Sequence, residues 1–430
     1  MELISGLREW SWVIGILVVV FVYSLGHKYY EFSKIDFSSP QEIHAQVLLQ
    51  YEKFKKKTSK YNQNATDHYF VLKLMDLERN IFYTISKEDI KMIANRYVRV
   101  YGQIRECSFM QFLKSCYINA YSISLLHKRD FRDKIRSYID TQHQNDGNAH
   151  NLIGNLYRAL FIADPLDKSW REISNALGLA HIIAISGFHL GILSTFLYVL
   201  FRPFYRYFQR RYFSYRNEAY DLGGLVLIFM FGYLLLLDYQ PSFFRSFIMA
   251  IVGFFVYFSG IRIFSFSLLF FVCLFCIAFF PALVLNAGFI LSVAGVFYIF
   301  LFIKHFPKIS KIPYWICFDI AIFLNITSIV HYFFPYFSPY QFISIPVSIL
   351  FIIFFPLSLV SHFLRLGDFL DYFLLKALLV KPPVIEYYTS IWWVIFYVGI
   401  SLYAFKSKIA YWFLNALSVG FFIFLLLKYL

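Results

Sequence analysis

The chain has 430 residues, 59% of them hydrophobic, with 40 Lys and Arg against 26 Asp and Glu. Apolar runs of membrane-spanning length recur through its second half, which excludes one large soluble core and points to a polytopic α-helical membrane protein of about ten spans. No GxxxxGK[ST] segment occurs, so a built-in nucleotide motor of that kind is excluded as well.

In chain order, the first apolar run covers residues 10–26 and is followed by no small-residue cleavage site, so 1–27 reads as a retained membrane anchor. Residues 28–150 form a hydrophilic block; from 31 to 150 it carries 19 Lys and Arg against 14 Asp and Glu. Ile43, Ala45, Val47, Leu49 and Tyr51 alternate with polar residues, as a half-buried strand requires. Further strands are predicted at 69–75, 81–85, 98–104 and 117–125, with a short helix after 81–85, where Ser86 and Asp89 have capping-box spacing. Three strands, a helix and two strands is the element order of an OB barrel, so a small β-rich, OB-like domain is expected here. That assignment puts Lys53, Lys55, Lys56, Lys57 and Lys60 at the edge between strands one and two, a usual place for oligonucleotide contact, with Arg99 and Tyr101 able to clamp and stack bases. A merely solvated charge run is the competing reading. Cys107 and Cys116 flank the connection between the last two strands and are expected to form a disulfide in an oxidising compartment.

Residues 151–178 read as two amphipathic interfacial helices, the first ended by Asp164-Pro165 and the second capped by Ser169 with Glu172. Spans then fit at 179–201, 222–238, 243–258, 263–280, 283–303, 314–334, 339–361, 390–405 and 410–428. The loops holding Arg202 to Arg216, Lys304 to Lys311 and Arg365 to Lys381 fall on one face by this count. They mark it as cytoplasmic and put 28–150 outside it.

Three stretches within 179–430 carry polar or very small residues at membrane depth. They are "GLAHIIAISGFHLGIL" with His181, Ser186, Gly187, His189 and Gly191, "PSFFRSFIM" with Pro241, Ser242 and Arg245, and "NAGFILSVAG" with Asn286, Gly288 and Ser292. Polar groups at that depth are costly and mark function or tight pairing. The histidines lack an HExxH frame, so no metal or cofactor is expected. Ser186 and His189 would share one face of a continuous helix, which admits an intramembrane hydrolase; mid-helix serine more simply bonds its own backbone, and no catalytic residue is expected. Cys273 and Cys276 read as small buried hydrophobes. Arg245 either snorkels to the interface or pairs with Asp238. Gly187, Gly191 and Ser194, then Ser246, Ala250 and Gly253, then Gly288, Ser292 and Gly295 share an i, i+4, i+7 spacing, and these small-residue stripes are expected to pack three helices together.

In order and spacing the three stretches resemble those of ComEC-type competence proteins, the first being close to that family's HLLAISGLHVG signature. The resemblance covers about 150–360 and extends weakly to the hydrophilic block. It implies an inner-membrane channel for single-stranded DNA in natural transformation, with an OB-like DNA-binding domain on the periplasmic side. Implied partners are single-stranded DNA, membrane lipid, a periplasmic DNA receptor, and a cytoplasmic ATPase, helicase or single-strand-binding protein; a homo-oligomer is left open. A family Gly-Asp-Arg stands here as Ala163-Asp164-Pro165, and a family Gln as Ile290. Many members carry a metallo-β-lactamase-like domain, whose HxHxDH motif this chain lacks. A small-solute or lipid transporter with a periplasmic β-domain is the alternative.

Overall fold

The structure is a computed structural model that describes residues 7–54, 68–86, 93–127, 130–143, 152–258, 266–307, 310–380 and 382–430. The chain divides into two compact units, one of Gly15–Tyr138 with Ile277–Asn286, the other of Met1–Ile14, Ile139–Cys276 and Ala287–Leu430.

The first unit is built by strand alternation. After helix α1 (Leu7–Ser33) come β1 (Gln41–Phe54), β2 (His68–Asp76), β3 (Ile81–Ser86), β4 (Tyr97–Ile104), a one-turn helix α2 (Phe109–Phe112), β5 (Cys116–Leu125) and α3 (Asp133–Thr141). All five predicted strands are present, each slightly longer than the alternation indicates. β1 pairs antiparallel with β2 and β4, and a short parallel pairing of β3 with β5 closes a barrel in the order β1-β2-β3-β5-β4. Val98, Val100 and Ile104 of β4 meet Val47, Leu72, Leu74 and Ile118 in its core, and Phe112 of α2 joins them. Only glycine fits at 102, because a Cβ there would lie 2.3 Å from the Asn119 carbonyl oxygen. The helix predicted after Ser86 falls on residues outside the described ones, whereas α2, not foreseen, lies between β4 and β5. Cys107 and Cys116 are disulfide-bonded across α2, with Cα atoms 6.1 Å apart. α1 runs past the expected anchor boundary, and Phe32 in its last turn packs 5.5 Å from the Phe112 ring and 5.7 Å from Phe109.

Beyond β5, Asp130 is buried and accepts from Arg132 Nε at 2.6 Å and from Arg136 at 3.4 Å. Burial pushes its carboxyl up, but the Arg132 N–H groups and the two guanidinium charges outweigh this and hold it below the usual carboxylate range.

The second unit is helical: α4 (Leu152–Ile162), α5 (Lys168–Ala176), α6 (Ala180–Ile183), α7 (Gly187–Tyr212), α8 (Glu218–Leu236), α9 (Pro241–Phe258), α10 (Phe266–Phe279), α11 (Ala287–His305), α12 (Lys311–Phe333), α13 (Ser344–Phe363), α14 (Asp371–Leu378), α15 (Ile391–Ala404) and α16 (Lys408–Tyr429). Counting α1, eight helical stretches among the described residues are long and apolar enough to cross a membrane. Among the described residues, α10 and α15, where the sequence predicts two further spans, have 14 residues each. At 1.5 Å per residue that is about 21 Å, short of a ~30 Å hydrocarbon core. The helices expected at the interface also differ. α4 is buried along most of its length, through Ile153, Leu156, Tyr157, Leu160 and Ile162. α5 is capped by Asp167, which accepts from the Ser169 N–H at 2.9 Å, because its carboxylate reaches that orphan donor first.

The C-terminal helices share a buried hydrogen-bond network. Tyr397 of α15 donates to Asn325 Oδ1 of α12 at 2.9 Å and lies 2.6 Å from the Ser418 hydroxyl of α16, which itself reaches Asn325 at 2.9 Å. Asn325 Nδ2 donates to Asn415, and Tyr298 of α11 bonds Ser401 of α15 at 3.1 Å. Lipid supplies no hydrophobic drive between helices, so such bonds and close packing hold them.

Candidate functional site

The first motif is a series of helix caps. α5 ends at Gly178, whose φ is +69°. The Leu179 N–H reaches the Ser174 carbonyl at 2.7 Å and the Gly178 N–H the Asn175 carbonyl at 3.4 Å, a Schellman motif that glycine accommodates without strain. After the single turn of α6, which carries an exposed His181, Ala184 is extended and Ser186 starts α7 as its N-cap. The Ser186 hydroxyl accepts from the Phe188 N–H at 3.3 Å, and His189 Nδ1 accepts from the Ser186 N–H at 3.4 Å. This is a capping box with histidine in the place of the usual Glu or Gln.

The expected continuous span over 179–201 is therefore broken, and Ser186 and His189 do not sit on an open helical face. His189 is fully buried, with the Phe351 and Phe355 rings edge-on at 5.1 and 4.9 Å. It is enclosed rather than lining a wet path.

The break lets α9 approach. Pro241 opens that helix, and Ser242 Oγ donates to the Ile185 carbonyl at 2.5 Å, satisfying an acceptor that the interrupted helix leaves free. At Gly187 a Cβ would lie 2.4 Å from Ser246 Oγ and 3.1 Å from Ser246 Cβ. α9 packs against both α7 and α11. At this junction Arg245 is 3% exposed; its Nη2 donates to Ser246 Oγ at 3.1 Å and to Ser292 Oγ of α11 at 2.6 Å. Its Nε and Nη1 are buried with no hydrogen-bond partner among the described residues. Neither expectation for Arg245 holds. It does not snorkel, and among the described residues no carboxylate pairs with it. Asp238 stands outside α9, in the turn after α8 at φ +53°, while the guanidinium turns to the serines.

One residue from each motif thus meets at one place: Gly187, Arg245 and Ser292. At Gly191, Ser194 and Gly295 the stripes do not continue the contact. Gly191 has nothing within 4 Å, Ser194 bonds the Gly191 carbonyl at 3.1 Å, and a Cβ at Gly295 would meet Ile326 of α12 at 3.7 Å. Asn286 and Gly288 are exposed at the start of α11. On the barrel, Arg99 and Tyr101 both face outward from β4, Arg99 lying 3.7 Å from Glu42 and Tyr101 6.2 Å from the Tyr121 ring. Lys53 is exposed near the end of β1, and Lys55, Lys56, Lys57 and Lys60 lie outside the described residues.

The model of the competence protein family matches residues 163–430, well over half of the chain and inclusive of all three motifs. The chain belongs to that family. It is a multi-pass membrane protein of ComEC type with a role in DNA uptake competence. No curated protein and no solved structure matches it. The match begins at Ala163, which adopts a left-handed φ of +58° just past the end of α4.

Sequence reading missed two buried polar groups of this competence protein. One is the Tyr397–Asn325–Ser418 network, whose only signal is Asn325 within an apolar span. The other joins His143 to His362 across 219 positions, a separation at which no local pattern operates.

Proposed function

We propose that this chain is a channel, not an enzyme, that passes single-stranded DNA across the bacterial inner membrane during natural transformation. The observation that carries the reading is Arg245. A guanidinium stays charged at any working pH, and a buried charge without a counter-ion is costly unless something else offsets it. Here it stands where the three family motifs meet, with two of its nitrogens unspent. A phosphodiester passing this junction supplies the missing negative charge, and the serine hydroxyls of Ser246 and Ser292 hold the fork in place until then.

The barrel supports the same reading. Its closed five-strand order, with β3 beside β5, supports an OB-like reading, and OB barrels bind single strands on a basic, aromatic face. Arg99 and Tyr101 offer that face on β4, and Lys53 stands exposed near the end of β1. We place this domain on the periplasmic side, where the disulfide persists and a DNA receptor would hand over the strand. A cytoplasmic ATPase, helicase or single-strand-binding protein draws it inward.

Labelled DNA tests the proposal. In a strain lacking the gene it should reach the periplasm and stop there. Arg245→Met, present in the membrane at parental level, should behave as the deletion does, while Arg245→Lys keeps part of the uptake. Label in the cytoplasm of the deletion strain at the parental level overturns the reading.

A further inference from the structure

Away from that junction, the helical unit holds a second polar cluster. His143 follows α3, His362 lies in the last turn of α13, and Asp371 begins α14. Both rings are buried, at 1% and 4% exposure. His143 Nδ1 lies 2.8 Å from Asp371 Oδ2, His143 Nε2 lies 3.0 Å from His362 Nε2, and His362 Nδ1 lies 2.7 Å from the Ser358 carbonyl oxygen. Tyr157 stacks on the His143 ring at 4.9 Å and meets His362 edge-on at 4.4 Å. Gln142 closes the cluster by donating to the His362 carbonyl and accepting from the Gly367 N–H. Gly367 is required for this approach, since a Cβ there would stand 2.6 Å from Gln142 Oε1 and 3.0 Å from His362 Nε2.

Counting protons in this chain of bonds gives a definite answer. A carbonyl oxygen only accepts, so His362 Nδ1 carries a hydrogen and its Nε2 offers a lone pair. The bond to that lone pair must then come from His143 Nε2–H. The remaining bond, between His143 Nδ1 and Asp371, needs its own hydrogen, whichever of the two atoms holds it. Three bonds require three protons, whereas a carboxylate and two neutral imidazoles bring only two.

We propose that His143, His362 and Asp371 form a proton-binding site that holds one proton beyond the ordinary neutral-pH states of these groups. With it the cluster is net neutral. Without it, a negative charge stands on the half-buried Asp371 and two nitrogen lone pairs face each other at 3.0 Å, so release of the proton to water opens the link between the segment after α3 and the α13–α14 corner. The other titratable groups around it are Tyr157, Asp140 at the end of α3, and Arg158 and Asp164 on and after α4. Arg158 is ion-paired with Asp140 and stands 3.9 Å from Asp164.

Linkage supplies the test on the full-length chain in detergent. The folded protein holds the third proton, while the unfolded chain releases it above the ordinary histidine range near pH 6.5. Stability from this site is therefore full below about pH 6.5 and falls as pH rises until the folded protein releases the proton too. His143→Gln removes the requirement, because one amide nitrogen can donate to both neighbours without titrating. Between pH 7 and 9 the unfolding constant of the parent should rise up to tenfold more per pH unit than that of His143→Gln. Parallel profiles overturn the proposal. Should the variant not fold, 15N-histidine magnetic resonance of the parent decides: a nitrogen–nitrogen coupling across an N–H···N bond is expected at pH 7 and lost on alkalinisation, and its absence throughout pH 6–8 overturns the site.

Discussion

Replacing Gly187 by alanine puts one methyl group where the structure has least room for it. The new Cβ would stand 2.4 Å from Ser246 Oγ, about 1 Å inside ordinary contact of about 3.5 Å. Ser246 cannot swing aside freely, because its hydroxyl donates to the Ser242 carbonyl at 2.9 Å and accepts from Arg245 at 3.1 Å. Either α7 and α9 separate, or the serine abandons both bonds and Arg245 loses part of its cradle. Overpacking of this kind costs about 1–3 kcal/mol, and a bond to a charged group about as much. A loss of about 2 kcal/mol shifts the balance between closed and opened helix pair roughly thirtyfold. Gly191→Ala is the matched control. It meets nothing within 4 Å and exchanges a poor helix former for a good one, so it should be neutral or stabilise by about 0.5–1 kcal/mol. Transformation frequency at equal membrane levels, with the unfolding temperature of the purified protein, reads both effects. Gly187→Ala should fall by an order of magnitude or more, and Ser246→Gly in the same chain should recover the unfolding temperature lost to the clash but not the hydroxyl that holds Arg245. Equal behaviour of the two alanine variants would show that close approach at Gly187 is not what holds this junction.

Ala163→Gly should stabilise the helical unit by about 0.5–1 kcal/mol, because relief of the left-handed alanine at φ +58° exceeds the added freedom of the unfolded chain; a lower unfolding temperature would count against a strained cap. Asp130 is ionised and paired in the fold, with its carboxyl held below the usual range, so it contributes stability above the ordinary aspartate pKa near 4 that is lost as pH falls through its depressed folded value. Asp130→Asn should flatten that acid limb of the unfolding profile while lowering stability at pH 7, and an unchanged acid limb would show that the arginines do not set its ionisation.

The barrel was the most legible part of the chain because its signal is local. Val98, Val100 and Ile104 alternate with Arg99, Tyr101 and Gln103, and side chains on a pleated strand must follow that period. The helical part was legible as to where apolar helices lie and less so in how they end. Residues 179–201 read as one span because hydropathy sees only the apolar run, and the capping box that breaks it uses His189 at the position where Glu or Gln is the familiar signature. Arg245 reads in the sequence as snorkelling or as pairing with Asp238, the nearest acid, whereas its partners stand at Ser246 and, 47 positions away, at Ser292. The stripes were right where Gly187 meets Ser246 and wrong at Gly191, Ser194 and Gly295, since spacing tells which residues share a face and not what that face looks onto.

The hydroxyl and amide groups shared by Tyr397, Asn325 and Ser418 constrain motion as well as assembly. Sliding α16 by one residue turns Ser418 about 100° about the helix axis and strands Tyr397 and Asn325 in a dry interior. Intermediate positions are therefore uphill, and α12, α15 and α16 move as one piece or not at all. Such a block is a stator. In the channel proposed above, any widening would fall to helices whose contacts can be broken and remade one at a time.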